Sequence, residues 1–196
     1  MSTYSRSETL LGTALAPMDW TRSVSLVAAF SLFNALAAQI SFNIGPVPIT
    51  AQTFAVTLTG ALLGSRLGAM ALIAYIVEGC FGLPFFANGA GSIAVLLGPT
   101  GGYLVSFPAA AYITGAFAEQ GWDRKFITAA AAMAIGSVLI LVAGWSWLMV
   151  LRTPPVAAFN VGVKPFIIGD VIKVLLAAAV LPTGWAILKR KASGKT

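Results

Sequence analysis

The sequence predicts an all-α polytopic membrane protein, a bundle of six transmembrane helices with both termini in the cytoplasm. Three observations predict it. The 196 residues are 58% hydrophobic and only 9% charged, whereas a soluble domain carries about a quarter charged residues. The charges leave long gaps: none lies between Arg22 and Arg66, between Glu78 and Glu119, or between Lys125 and Arg152. Each gap exceeds the roughly 20 apolar residues that cross a bilayer core. The basic residues fall in short runs between the apolar stretches, which orients a chain in a membrane.

The elements follow in order. Residues 1–20 are polar with a proline and predict a cytoplasmic tail rather than a cleavable signal peptide. A first span from about Thr21 to Ile40 then acts as its own insertion signal. The uncharged loop 41–50 holds Pro46 and Pro48, which exclude a continuous helix. A short second span covers Ala51 to Leu63, Gly64 to Arg66 form a turn, and a third span covers Leu67 to Phe81. Residues 82–102 are rich in glycine and carry no charge. Such a loop predicts backbone packed into the protein or over a cavity. A fourth span runs from Tyr103 to Ala118, a charged turn from Glu119 to Lys125, and a fifth span from Phe126 to Val150. After a loop from Arg152 to Lys164, Pro165 opens the sixth span, which ends near Leu188. Proline suits a first helical turn, where its missing N–H costs nothing. Residues 21–190 therefore form one transmembrane domain, and 191–196 a basic tail.

Topology follows from charge. With six spans, Arg6, Arg22, Arg66, Arg124, Lys125, Lys189, Arg190, Lys191 and Lys195 share one side, and Arg152 and Lys164 the other. This bias places both termini in the cytoplasm and turns the loops 41–50 and 82–102 outward. The net charge of +6 then serves orientation and not nucleic-acid binding.

Ionisable groups inside spans cost at least about 2.5–3.5 kcal/mol each and need a partner or a task. Asp170 and Lys173 lie three residues apart on one face of the sixth span. Either they neutralise each other, or they form the core of a small-molecule site, with Gly169 admitting close approach. Glu78 reads as a structural contact to Arg152 or Lys164, a snorkelling group, or a ligand contact. Asn88, in the glycine-rich loop, is a turn residue or a ligand contact. Gln52, opening the second span, caps or bridges helices or joins the site. The lone Cys80 is read as a small buried hydrophobe. The chain has no histidine, one cysteine and no phosphate-binding loop, so no resident cofactor, metal site or enzymatic activity is expected.

Three segments carry a family resemblance. They are Gly45-Pro46-Val47-Pro48-Ile49-Thr50-Ala51-Gln52-Thr53, Gly82-Leu83-Pro84 through Leu97-Gly98-Pro99-Thr100-Gly101-Gly102-Tyr103, and Pro165-Phe166-Ile167-Ile168-Gly169-Asp170-Val171-Ile172-Lys173. In their order and spacing the chain resembles BioY, the biotin-binding S component of energy-coupling-factor transporters, over residues 20–190. The resemblance implies uptake of biotin across a prokaryotic cell membrane. It implies Asp170, Lys173 and Asn88 as ligand contacts under the two loops, with Gln52 and Tyr103 at the site. Phe85, Phe86, Leu96 and Leu97 join Tyr103 in the apolar walls. The cyclic urea of biotin offers two N–H donors and one acceptor, which a carboxylate and an ammonium or amide match; Lys173 could instead hold the valerate carboxylate. The resemblance also implies partners, a coupling membrane subunit and cytoplasmic ATPases, or self-association. S components meet that partner through small residues on the first helix. Here no Ala-x-x-x-Ala occurs, but Ser25/Ala29 and Ser31/Ala35 share the spacing. The Asp/Lys pair would also fit an S component or secondary transporter for another small polar solute. A membrane scaffold would leave the apolar glycine-rich loop without a reason.

Overall fold

A computed structural model describes residues 9–43 and 45–193, with side chains as far as Arg190. Residues 1–8 of the predicted tail at 1–20, and the tail at 191–196, lie outside the residues whose side chains are described. The helices are α1 (Leu10–Ala14), α2 (Trp20–Gln39), α3 (Gln52–Leu63), α4 (Ser65–Cys80), α5 (Ala94–Leu97), α6 (Gly101–Glu119), α7 (Phe126–Val150), α8 (Pro155–Gly162) and α9 (Ile167–Ser193). Two strands, β1 (Ser41–Phe42) and β2 (Ile49–Thr50), pair antiparallel between α2 and α3.

Three stretches are long and apolar enough to cross a membrane by length and composition: Trp20–Gln39, Phe126–Val150 and Pro155–Arg190. The bundle is turned inside out relative to a soluble fold. Leu32, Leu36, Ile73, Val138, Val142, Ile168, Val171 and Leu176 are exposed, while Ser31, Asn34, Thr57, Thr59 and Thr114 are buried. Lipid rewards apolar side chains outside as well as inside, so polarity rather than hydrophobicity marks the interior. Asn34 shows the arrangement, donating from Nδ2 to the Thr59 hydroxyl at 2.9 Å and to the Phe30 carbonyl at 2.8 Å.

The short helix α3 is the centre. Nine of its residues are buried, and its 12 residues reach only about 18 Å at 1.5 Å per residue. Close packing against α6 depends on Gly60, where a Cβ would stand 2.2 Å from the Ala111 carbonyl oxygen. Helix α4 starts directly after α3. Glu119, at the end of α6, caps it: Oε1 accepts from the Ser65 amide at 2.7 Å and the Ser65 hydroxyl at 2.9 Å. A carboxylate there satisfies an orphan N–H and meets the positive end of the helix dipole.

Several expectations need correcting. Part of the predicted tail forms α1, whose N-cap Thr9 accepts from the Gly12 amide. The loop 82–102 contains a single helical turn at Ala87–Gly89 and α5. The loop after α7 contains α8. Short apolar segments without charges escape a search for span-length runs. Glu78 pairs with neither Arg152 nor Lys164; it accepts a hydrogen bond from the Ser31 hydroxyl, joining α4 to α2. Ser31 and Ala35 are buried, so of the two small-residue pairs only Ser25/Ala29 faces outward.

Candidate ligand-binding site

Helix α9 begins after Phe166 and carries Asp170 in its first turn, where the helix dipole favours an anion. One turn later Lys173 reaches back, its Nζ 3.1 Å from Asp170 Oδ1. Both lie inward, Asp170 at 5% exposure. The pair is tied into the bundle by hydroxyls. Thr53 of α3 donates to Asp170 Oδ1 at 2.8 Å, and Ser137 of α7 donates to Asp170 Oδ2 at 2.7 Å. Lys173 donates to the Thr50 carbonyl of β2 at 2.7 Å and to the Thr53 hydroxyl at 3.0 Å. A buried ion pair persists only when its remaining hydrogen-bonding capacity is met in this way.

Next to the pair is a cavity of about 170 Å³. Its polar wall is Thr50, Gln52 and Thr53, its apolar wall includes Tyr103, Phe107 and Phe166, and Phe86 and Asn88 reach it from the glycine-rich loop. Gln52 is buried and held on both sides: Nε2 donates to the Tyr75 hydroxyl at 2.7 Å, and Oε1 accepts from the Thr50 hydroxyl at 3.1 Å. Tyr75 in turn donates to the Phe85 carbonyl. Tyr103 presents its ring to the cavity, its hydroxyl donating to the Gly162 carbonyl at 2.8 Å. That ring fits because Gly144 faces it: a Cβ there would stand 2.1 Å from the ring carbons.

Asn88 occupies the left-handed region at φ 60°, which its short polar side chain tolerates. Its amide clasps the segment after α2: Oδ1 accepts from Ser41 at 2.9 Å and from Asn43 at 3.2 Å, and Nδ2 donates to Asn43 at 3.1 Å. Gln39 adds a second clasp, accepting from the Gly89 amide and donating to the Pro84 and Phe86 carbonyls. The two uncharged loops are thus one cover, joined by side-chain amides.

The five residues singled out from sequence converge unevenly. Gln52, Asn88 and Tyr103 line the cavity; Asp170 and Lys173 stand behind Thr53 and Thr50 rather than in the wall. Of the expected apolar residues, Phe86 lines the cavity, whereas Phe85 and Leu96 pack into the core beside it and Leu97 is exposed. Sequence reading gave no role to Thr53, Ser137 and Tyr75. Thr53 stood inside a quoted segment, but Ser137 and Tyr75 lie in helices with no motif around them.

A membrane helical bundle with a charged pair and a covered cavity at one end is a ligand-binding membrane protein in class. A sequence model of the BioY family matches residues 6–190. A probable biotin transporter BioY of Pyrococcus horikoshii is 41% identical over 81% of this chain and 93% of its own. The biotin transporter BioY of Thermotoga maritima is 35% identical over the same shares. The fold matches a crystal structure of an S-component for biotin from an ECF-type ABC transporter, with a TM-score of 0.76 and 24% identity over 83% of this chain and 90% of that one. The chain belongs to the BioY family.

Proposed function

We propose that this protein is a biotin-binding membrane subunit that mediates biotin uptake, with Asp170 and Lys173 as the polar core of its site. The observation that carries the reading is the buried Asp170–Lys173 pair beside a covered cavity, in a chain whose relatives are named biotin transporters. Asp170 accepts a ureido N–H, and Lys173 donates to the ureido carbonyl in place of a protein hydroxyl or carbonyl. The thiophane ring and valeryl chain lie among Phe86, Tyr103, Phe107 and Phe166. Asn88 and Gln52 complete the polar rim. The chain holds no ATP-hydrolysing motif, so energy comes from a separate coupling membrane subunit with cytoplasmic ATPases. The exposed small pair Ser25/Ala29 on α2 supports a close helix contact with such a partner. The bundle crosses a prokaryotic cell membrane six times, through α2, α3, α4, α6, α7 and α9, with both termini cytoplasmic.

Titration of the detergent-solubilised protein with biotin tests the site. Saturable one-to-one binding, lost in Asp170→Asn and Lys173→Met, is expected. Unchanged binding in both variants would sink the assignment. A rise in melting temperature with biotin but not with thiamine or riboflavin separates this reading from a carrier of another vitamin.

A further inference from the structure

Several Ser and Thr hydroxyls in the helices bond back to their own backbone. Thr57 donates to the Thr53 carbonyl, Thr59 to Ala55, Ser106 to Tyr103 and Thr183 to Ala179. That is the usual resort of Ser and Thr in a helix. Ser137 instead reaches across from α7 and donates to Asp170 Oδ2 at 2.7 Å, and it is buried. Its neighbour Gly136 brings α7 close enough: a Cβ there would stand 2.5 Å from the Thr114 hydroxyl and 2.9 Å from a Thr57 methyl.

An ionised carboxylate offers about four lone-pair sites. Asp170 Oδ1 already accepts from Thr53 and Lys173, and Oδ2 from Ser137. Oδ1 thus lies beside Thr53, a residue of the cavity wall, and Oδ2 is held on the α7 side. Asp170 and Ser137 both line a groove of about 420 Å³ between α7 and α9, with Val138, Val142 and Val174 among its walls. Without the hydroxyl, Oδ2 would face this apolar groove with no donor, and nothing would fix the plane of the carboxylate. One turn further along α7, Ile140 and Leu141 form part of the cavity wall, so α7 shapes the cavity and aims the carboxylate together.

We infer that Ser137 is a positioning residue for ligand binding: it holds Asp170 Oδ2 so that Oδ1 stays on the cavity side beside Thr53, where a ligand N–H can take the place of a protein donor. The inference rests on the Asp170 site proposed above. A purely structural serine would only satisfy a buried charge, and its loss would lower stability and leave affinity alone.

The test is biotin titration of the full chain in detergent, well below its melting temperature, for Ser137→Ala, Ser137→Thr and Asp170→Asn, with melting of each ligand-free protein. Loss of a hydrogen bond to a charged group predicts about a tenfold weaker affinity in Ser137→Ala. Ser137→Thr, which keeps the hydroxyl and turns its methyl to the groove, restores affinity to within about twofold. Ser137→Ala binding as the wild type while Asp170→Asn binds poorly overturns the inference and leaves the site standing. Asp170→Asn binding as the wild type overturns the site itself, and the inference with it. Should Ser137→Ala fail to fold, a Ser137→Thr protein with wild-type melting and weak binding equally overturns the inference.

Discussion

Buried polar residues in this protein divide by what they face. Asp170 accepts from three donors, one of them the Lys173 ammonium. Asp123, in the turn between α6 and α7, has fewer. Its Oδ2 accepts from the Trp185 indole at 2.6 Å, and its Oδ1 is buried without a hydrogen bond. The Arg124 guanidinium lies over the Trp185 ring, 4.9 Å from its centroid. Burial pushes the Asp123 carboxyl above its ordinary value of 3.8, while the Trp185 bond and the Arg124 charge pull it back less strongly. The native chain thus binds this proton more tightly than the unfolded chain does. Below about pH 4 both forms are protonated and Asp123 has no influence on stability. As pH rises through the native value, the buried charge appears and stability is lost. In Asp123→Asn the melting temperature is expected to fall less between about pH 4 and pH 7 than in the wild type. Identical slopes in thermal melts across that range would contradict the assignment of this cost to Asp123.

The elements around the cavity are held by contacts between pieces far apart in sequence. Cover and floor meet through amides: Asn88 and Gln39 join the glycine-rich loop to the end of α2, and Gln52 joins α3 to Tyr75 of α4. Each amide there has a defined partner, so removing one leaves another unpaired, at roughly 1–3 kcal/mol where the group stays buried and less where water reaches it. Asn43→Ala takes both partners of the Asn88 amide that it supplies. Hydrogen exchange is expected to quicken in residues 41–50 and 84–90 and to remain unchanged in α7. Uniform exchange in the two proteins would show that the clasp holds nothing. At the base of the bundle, Gly60→Ala is expected to lower the melting temperature through the clash with the Ala111 carbonyl, an overpacking cost of about 1–3 kcal/mol. Unchanged melting would mean that α6 moves away freely.

At the scale of the whole molecule, the charge bias sets the arrangement in the membrane. Reporter enzymes active on one side only, fused to residue 196 and inserted after Gly121 and after Thr153, are expected to place the first two in the cytoplasm and the third outside. A C-terminal reporter active outside would overturn the six-span reading. Much of this architecture was legible in the chain. The uncharged gaps marked α2, α6 and α7 and the polar turns between the helices, because a bilayer penalises charge wherever it occurs in a span. Asp170 and Lys173 stood out for the same reason. The three quoted segments were enough to show the family. Hidden were α1, α5 and α8, too short to leave a periodic pattern, and the roles of Thr53, Ser137 and Tyr75, whose hydroxyls are unremarkable in sequence. Glu78 was visible as an expensive charge, but its partner Ser31 was not. What the sequence by itself determined was therefore the class of protein, its long apolar helices and the charged pair, since transfer into lipid is a property of each residue and its near neighbours. Only the tertiary structure decided that the pair is sheathed by Thr53 and Ser137, that the two loops close as one cover, and that Asp123 meets Trp185. Hydrogen bonds reach about 3 Å, and the residues that share them here are as much as 123 positions apart.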